Sequence, residues 1–119
     1  MSKVIGIVGS RRRNTPEDFN IVKTAFINIY KPGDEICSGF CQTGADKFAI
    51  TLSRQYHTPS QWYRAEWKKF GPTAGHLRNQ LIAEYSDKLI ACVAEDRTGG
   101  TEDTIEKYLK LGKTELILV

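Results

Sequence analysis

The 119-residue chain has the composition of a folded globular domain, with 40% hydrophobic and 26% charged residues. This length fits one domain that buries a core without disulfides or metals. The net charge of +3 is too small to indicate nucleic-acid binding on its own, and no apolar run is long enough for a membrane span. Because no signal peptide precedes the first predicted strand, we expect a cytoplasmic protein with no membrane partner.

Strand-like and helix-like stretches alternate along the chain. Five short apolar or β-branched stretches predict strands at residues 3–8, 35–38, 60–64, 88–94 and 114–119. Between them, apolar residues recur at helical spacing. The expected inward faces are Phe19, Val22, Phe26 and Ile29 in the first helix; Ala45, Phe48, Ala49, Leu52 and Tyr56 in the second; Leu77, Leu81, Ile82 and Tyr85 in the third; and Ile105, Tyr108 and Leu109 in the fourth. The alternation predicts a single α/β domain over residues 1–119, with a parallel sheet and right-handed crossovers.

The predicted helix starts have recognisable signals. Residues 15–18 (TPED) supply a capping threonine, a proline at the first helical position and acidic residues in the first turn. Thr73 is predicted to cap the third helix and Thr101 the fourth. Gly75, in the first turn of the third helix, would let a ligand approach the backbone closely.

Four connections follow the carboxyl ends of the first four predicted strands, at residues 9–14, 39–44, 65–73 and 95–101. Ligands of open α/β sheets bind at this edge. Each connection leads into a helix start, whose unpaired N–H groups and positive dipole end attract anions. Arg78 follows one turn into the third helix and can reach back over its start. We therefore expect a phosphate or carboxylate site here.

Two common nucleotide-binding motifs are absent. Residues 6–10 (GIVGS) do not form the G-x-G-x-x-G dinucleotide fingerprint. Gly39 and Gly44 have P-loop spacing, but Ala45 and Asp46 stand where a lysine and a Ser/Thr are required. The sequence therefore excludes a Rossmann dehydrogenase and a P-loop ATPase, and several short turns at helix starts remain as the phosphate-binding elements.

Each candidate residue also has a structural explanation. Ser10 can satisfy the backbone of its turn, and Asp46 can stabilise the first turn of its helix. Residues 99–101 (GGT) can form a turn and a cap. Residues 11–13 (RRR) can be a solvated basic tip, although we expect one of them, Arg11, to be functional. These alternatives stay open at the level of sequence.

The cysteines and two other side chains give no site. Cys37, Cys41 and Cys92 are an odd number, and no second pair completes a zinc set. We expect packed or loop thiols, no metal and no cofactor. Trp67 belongs either to the core or to a stacking surface, and His76 is expected to be exposed without a catalytic partner.

Four motifs together resemble a known superfamily. They are VGSR at residues 8–11, SGFCQTGAD at 38–46, AEWKKFGPTAGHLRN at 65–79 and GGT at 99–101. In this order they resemble the SLOG superfamily, which includes the LOG phosphoribohydrolases and the DNA-processing protein Smf/DprA. The short, single-domain YspA-like branch, which is related to YpsA, is the most similar.

This resemblance implies a Rossmann-like sheet of strand order 3-2-1-4-5 and a site for nucleotides or NAD-derived ligands such as ADP-ribose. It also implies homo-oligomers and a role in nucleotide signalling during conflict between bacteria and phages. By carry-over, the ligand- or phosphate-binding residues are Gly9, Ser10, Arg11, Gly39, Gly44, Asp46, Gly75, Arg78, Asn79, Gly100 and Thr101.

The chain departs from the enzymes of this superfamily at critical positions. LOG enzymes share a PGGxGTxxE motif, whose glutamate works with an arginine that Arg78 matches. Thr104 stands at the glutamate position, and Arg97 and Thr98 precede the two glycines in place of the proline. Threonine cannot act as a carboxylate base. Residues 40–42 (FCQ) replace smaller residues in the second loop, which suggests an altered pocket.

Three functions follow from these observations. The first is a protein that senses or sequesters a phosphate-bearing nucleotide ligand, with Arg11 and Arg78 as charge partners. The second is an N-glycosidic hydrolase in which Arg78 acts with Asp103 or Glu102. The third is a nucleic-acid-binding module, which low net charge and the absence of a stacking ladder make the least expected.

Overall fold

The computed structural model describes residues 2–39 and 43–119. Five strands alternate with five α-helices and one 3₁₀ turn. In chain order they are β1 (Val4–Gly9), α1 (Pro16–Ile29), β2 (Glu35–Gly39), α2 (Ala45–Gln55), β3 (Ser60–Tyr63), α3 (Trp67–Phe70), the 3₁₀ turn (Gly71–Thr73), α4 (Ala74–Tyr85), β4 (Lys88–Cys92), α5 (Gly100–Lys110) and β5 (Leu116–Leu118). The predicted alternation is confirmed.

The five strands form one parallel sheet in the order β3-β2-β1-β4-β5. Strand β1 lies at the centre, where Ile5 is in register with Ile36 of β2 and Ile7 with Ile90 of β4. The strand order reverses between β1 and β4, so a switch point lies beside the carboxyl end of β1. Both the parallel sheet and its strand order are as expected.

Helices cover both faces of the sheet. Helices α1 and α2 pack on the face of the sheet that carries Ile5 and Ile7. Helices α4 and α5 pack on the other face, which carries Val8. Successive residues of β1 therefore enter opposite cores, which is the period-two pattern of a buried strand. The Rossmann-like α/β architecture follows from these two layers.

The predicted inward faces of α1 and α2 are confirmed. Val22 and Phe26 of α1 are fully buried, and Phe48 and Leu52 of α2 join the same core. Helix α1 also starts as predicted, because Thr15 accepts a hydrogen bond from the Asp18 N–H and the Asp18 carboxylate accepts one from the Thr15 N–H.

The predicted faces of α4 and α5 are partly wrong. Leu77, Leu81 and Tyr85 are exposed, and so is Leu109. The buried side of α4 instead consists of Ala74, Asn79, Ile82 and Ala83, and that of α5 of Thr101, Thr104, Ile105 and Tyr108. Small residues suit these faces because they let α4 pack closely beside α5, and the polar ones line the cleft described below.

Within the described part of the chain, no helix is both long enough and apolar enough to cross a lipid bilayer.

A buried carboxylate connects the start of the sheet to the turn after α1. Asp34 is almost fully buried and accepts hydrogen bonds from the backbone N–H groups of Lys3 (3.0 Å) and Lys31 (2.8 Å), and from the Lys3 ammonium. Burial raises the pKa of Asp34, but these hydrogen bonds outweigh it and hold the pKa below its ordinary value. The ionised form is therefore part of the folded state.

Replacing this carboxylate is expected to destabilise the fold in a pH-dependent way. Asp34→Asn should lower the free energy of unfolding by about 3 kcal/mol at pH 7, because it leaves Lys3 and two backbone donors poorly paired. A lowered pKa stabilises the fold above the unfolded-state pKa and ceases to do so as the pH falls through the folded-state pKa. The difference in the free energy of unfolding between Asp34→Asn and wild type, measured by urea unfolding, should therefore become smaller below about pH 4. A loss that is independent of pH, or equal to that of Glu95→Gln at an exposed loop position, would contradict this account.

Candidate functional site

One cleft opens at the carboxyl edge of the sheet, beside the switch point. Its volume is about 350 Å³. The end of β1, the loop after it, the start of α2, the middle of α4, the loop after β4 and the start of α5 all contribute to its wall. The lining residues are Val8, Gly9, Ser10, Arg11, Arg12, Asp46, Arg78, Asn79, Ile82, Thr98, Gly99, Gly100, Thr101 and Thr104.

Most of the predicted ligand-binding residues meet in this cleft. Those that line it are Gly9, Ser10, Arg11, Asp46, Arg78, Asn79, Gly100 and Thr101. Gly39 and Gly44 adjoin it, because each is in close contact with lining residues. Gly75 does not lie there: a Cβ atom placed on it would lie 3.3 Å from the Trp67 ring. Three of the four predicted connections, together with helix α4, thus contribute to one site.

Gly39 and Gly44 are positions where a side chain has no room. A Cβ atom on Gly39 would lie 2.5 Å from Arg78 Nη1 and 2.6 Å from Asp46 Oδ2. Gly44 has a φ of 72°, and a Cβ there would lie 2.7 Å from the Ser10 carbonyl oxygen. Glycine at both positions therefore lets Arg78, Asp46 and the loop after β1 converge.

Helices α2 and α5 begin at the cleft, whereas α4, which was also predicted to begin there, does not. The residues before α4 are already helical, and Thr73 donates its hydroxyl to the Phe70 carbonyl. Thr73 is the N-cap residue of α4, as predicted, but its side chain makes no capping hydrogen bond, because the segment taken for a loop contains α3 and the 3₁₀ turn. Only residues further along α4, from Arg78 onward, reach the cleft.

The starts of α2 and α5 have glycine N-caps, Gly44 and Gly99, and neither has a side-chain cap. The Gly44 N–H is bound by Asn14 Oδ1 at 2.8 Å. The predicted cap at Thr101 is wrong, because the N-cap residue is Gly99, two residues earlier, and α5 begins at Gly100. Thr101 lies in the first turn, is nearly buried and lines the cleft. Residues at both helix starts line the cleft, so the positive ends of both helix dipoles lie beside it.

The three consecutive arginines have different environments. Arg11 is exposed and lines the cleft. Arg12 also lines it, while its guanidinium binds Asp96 at 2.9 Å and Thr98 Oγ1 at 2.8 Å. Arg13 turns away from the cleft and binds Asp18 and the carbonyls of Val93 and Val119. The sequence alone could not distinguish these roles, which depend on contacts with distant residues.

The Arg12 contact fixes the loop after β4 to the loop after β1. The Arg12 hydrogen bond, together with hydrogen bonds from Thr98, lowers the pKa of Asp96 to about 2. Asp96 therefore stays ionised and neutralises part of the Arg12 charge at the rim of the cleft.

Ser10 has a structural role that its sequence position left open. Its hydroxyl oxygen accepts the Arg12 N–H at 3.1 Å, and its own N–H donates to the Cys92 carbonyl at 2.9 Å. These bonds hold the turn at the end of β1. The same side chain lines the cleft, so a ligand contact and a turn role coexist in the geometry.

Three guanidinium groups and one carboxylate determine the charge of the cleft. Arg11, Arg12 and Arg78 line it, and Asp46 is the only carboxylate among the lining residues that the structure describes. Ser38 donates its hydroxyl to Asp46 Oδ1 at 3.0 Å. Such a cleft attracts anions and presents a single anionic acceptor on one side.

The two carboxylates considered for catalysis do not line the cleft. Glu102 forms a two-pronged ion pair with Arg97, with both N–O distances at 2.9 Å. Asp103 is bound by Lys107 Nζ at 2.7 Å and by His76 Nδ1 and Asn79 Nδ2 at 3.0 Å each. Thr104, which the sequence resemblance aligns with the LOG glutamate, lines the cleft and is almost fully buried.

The other residues considered in the sequence lie away from the site. His76 is exposed, as expected, but has a partner in Asp103. Trp67 lies on the surface against Gly75. Cys37 and Cys92 are buried free thiols, and burial raises the pKa of both, that of Cys37 to about 12. Both are therefore poor nucleophiles.

Cys41, with Phe40 and Gln42, lies outside the described residues. In the described part of the chain no cluster of histidine, cysteine or carboxylate side chains could hold a metal ion.

Six lining residues are outside the predicted set. Val8 and Gly99 belong to the VGSR and GGT motifs, and the sequence analysis missed the other four: Arg12, Ile82, Thr98 and Thr104. Ile82 was assigned to the core, which it also contacts at the base of the cleft. In the sequence, Thr104 was considered only because it stands where the LOG motif has a glutamate. Its spacing of three from Thr101 was a usable signal, because residues three apart share one face of a helix.

No protein-family model, curated protein sequence or solved structure matches this chain. A functional assignment therefore depends on the cleft and on the sequence motifs.

The contact between β1 and α2 is expected to tolerate no side chain at residue 9. A Cβ on Gly9 would lie 2.6 Å from Ala45 Cβ and 2.8 Å from Cys92 Cβ. Gly9→Ala should lower the free energy of unfolding by about 2 kcal/mol through overpacking. Gly100→Ala is the matched control, since its Cβ would approach only Asn79, at 4.0 Å. Chemical denaturation measures both, and equal stabilities for the two variants would contradict the packing described.

Proposed function

We propose that the cleft binds a phosphate-bearing nucleotide or an NAD-derived ligand, such as an ADP-ribose-type or cyclic nucleotide signal, and that the protein senses or sequesters this ligand without converting it. The observation that carries the proposal is the convergence of Arg11, Arg12 and Arg78 with the starts of α2 and α5. Guanidinium groups and helix N-termini are the two protein features best suited to phosphate.

Arg78 is the strongest candidate for direct phosphate contact. It lines the cleft together with Arg11, so one bound anionic group can contact both guanidinium groups. Its guanidinium is partly buried, where a hydrogen bond to an anion is stronger than in open water. Arg12 is less available, because Asp96 and Thr98 already bind it.

Asp46 favours a ligand that contains more than a phosphate. A carboxylate in a basic cleft repels a bare anion but accepts hydrogen bonds from sugar hydroxyls or an amino group. Ser38 holds this carboxylate in place. A nucleotide combines both chemistries, which supports it over inorganic phosphate.

The positions of the carboxylates favour binding over turnover. Hydrolysis of the LOG type needs a glutamate that works with the arginine, and Glu102 and Asp103, the candidates to replace it, are held in ion pairs outside the cleft. Thr104 lines the position where the LOG enzymes carry their glutamate. The hydrolase is therefore the alternative that the experiments below must exclude.

The resemblance to the SLOG superfamily supports a nucleotide signal as the ligand and bacteria–phage conflict as the setting. It also supports a cytoplasmic homo-oligomer, which a measurement of mass in solution tests directly.

Removal of either Arg11 or Arg78 from the cleft is expected to weaken ligand binding. Arg78→Ala and Arg11→Ala should each reduce the affinity for AMP or ADP-ribose by about tenfold or more, because each removes a charge-assisted hydrogen bond. Arg54→Ala, at the far end of α2, is the matched control and should bind like wild type. Isothermal titration calorimetry measures the affinities, and ligand-dependent melting temperature provides a second readout.

Equal binding by all three variants would contradict the location of the site. If AMP, cyclic nucleotides, NAD and ADP-ribose all leave the melting temperature of wild type unchanged, the proposed function is contradicted. Single-strand DNA or RNA binding that falls steeply with salt would instead favour a nucleic-acid-binding module.

The ligand is expected to remain intact. After prolonged incubation of wild type with AMP, NAD or ADP-ribose, chromatography should recover the starting compound without free base or nicotinamide, since no described carboxylate is placed as a LOG-type glutamate. Enzyme-dependent release of base that disappears in Asp46→Asn would show turnover and contradict the binding-only proposal.

A further inference from the structure

Asp103 lies outside the cleft, but side-chain hydrogen bonds connect it to Arg78 inside it. Asp103 Oδ2 accepts the side-chain N–H of Asn79 at 3.0 Å. Asn79 Oδ1 in turn accepts the Arg78 Nε–H at 3.0 Å. Asn79 is nearly buried, so water has little access to these bonds.

The partners of Asn79 leave its amide only one orientation. Arg78 offers only donors, whereas the Asp103 carboxylate and the Gly100 carbonyl, 3.4 Å from Asn79 Nδ2, offer only acceptors. A flipped amide would place NH₂ against the guanidinium and oxygen against the carboxylate. The Asp103 carboxylate therefore strengthens the orientation in which Asn79 Oδ1 faces Arg78.

Asp103 is itself held by residues on two helices. Lys107, one turn further along α5, binds Oδ1 at 2.7 Å, and His76 of α4 binds Oδ2 at 3.0 Å. Burial raises the pKa of Asp103, but the hydrogen bonds from Lys107, Asn79 and His76 bring it below the ordinary value. The carboxylate is thus ionised and acceptor-only at neutral pH.

Fixing Arg78 Nε also fixes the plane of the guanidinium. The Nη1 group then lies against Gly39, 2.5 Å from where a Cβ would be. Without the Nε contact, a long arginine side chain loses this single geometry, and ordering it on ligand binding costs conformational entropy.

We infer that Asp103 is a positioning residue, which acts through Asn79 to hold the Arg78 guanidinium in the cleft ready for an anion. Its relevance to binding rests on the proposed function of the cleft. The hydrogen-bond relay itself is a property of the free protein and is tested without any ligand.

The first test observes the Arg78 Nε–H in ¹⁵N-labelled free protein. Wild type should show a sharp Nε–H resonance, assigned by its loss in Arg78→Lys, with slow exchange with solvent. Asp103→Asn should shift it and accelerate exchange by about tenfold, as expected when a charged partner of the network is lost. Glu106→Gln is the matched control, since this exposed carboxylate of α5 pairs with Lys110. An Arg78 Nε–H resonance that is unchanged in Asp103→Asn would overturn the inference.

The second test is a double-mutant cycle with AMP as the probe. Asp103→Asn alone should weaken binding by about fivefold to tenfold, and Arg78→Ala by at least as much. Because Asp103 acts through Arg78, the double variant should bind no more weakly than Arg78→Ala. A merely structural role would instead give additive losses, and additivity would overturn the inference.

The two proposals fail in different ways. If wild type binds no nucleotide, the proposed function fails, while the Nε–H measurement still decides whether Asp103 positions Arg78. If AMP binds and Asp103→Asn binds it as tightly as wild type does, the positioning role in binding fails and the binding site stands.

Discussion

The start of α2 packs directly against the carboxyl end of β1, and the position of the cleft depends on this contact. Gly9 touches Ala45, and Gly44 lies on the Ser10 carbonyl, both at distances that exclude a side chain. The Asn14 side chain completes the contact by binding the Gly44 N–H. The contact brings Asp46 and the α2 dipole beside Ser10 and Arg11, on one side of the strand-order reversal. The opposite wall, from α4 and α5, then encloses a polar space at the switch point.

The arginines around this cleft have separate roles. Arg13 stabilises the fold, Arg12 ties two loops together, and Arg11 and Arg78 are left facing the cleft. Glu102 and Asp103 of α5 lie outside the cleft, where Glu102 pairs with Arg97 and Asp103 pairs with Lys107. Such an arrangement suits recognition of an anion, since the cleft keeps its positive charge while the surrounding ion pairs fix its walls.

The sequence predicted the architecture better than the site. Alternating strand and helix patterns were sufficient for the α/β fold, and the strong amphipathic patterns of α1 and α2 predicted their buried faces. Helix α4 was misassigned because apolar residues occur all round it, so periodicity could not show that Ala74 and Ala83 are buried while Leu77 and Leu81 are exposed. The cap of α5 was misplaced at Thr101, and the side-chain cap expected from Thr73 does not form, because local propensity does not register a glycine N-cap or a preceding helical turn.

Within the site, the loops were predictable and the contacts were not. Position after a strand was enough to bring Gly9, Asp46, Arg78 and Gly100 to one edge. The separate roles of Arg11, Arg12 and Arg13 depend on residues some eighty or more positions away, such as Asp96 and Val119, which no local pattern reveals. For the same reason the relay from Asp103 to Arg78 required the packing of α4 against α5.

The most direct test of the central claim is a titration of ¹⁵N-labelled protein with ADP-ribose, followed by backbone amide chemical shifts. A ligand held between the two glycine-capped helix starts and the loop after β1 should shift the amides of Ser10, Ala45, Gly100 and Thr101 more than any others in the described chain. Saturable shifts confined to another surface, such as the α1–β5 side around Ile21 and Ile117, would contradict the claim that this cleft is the ligand site.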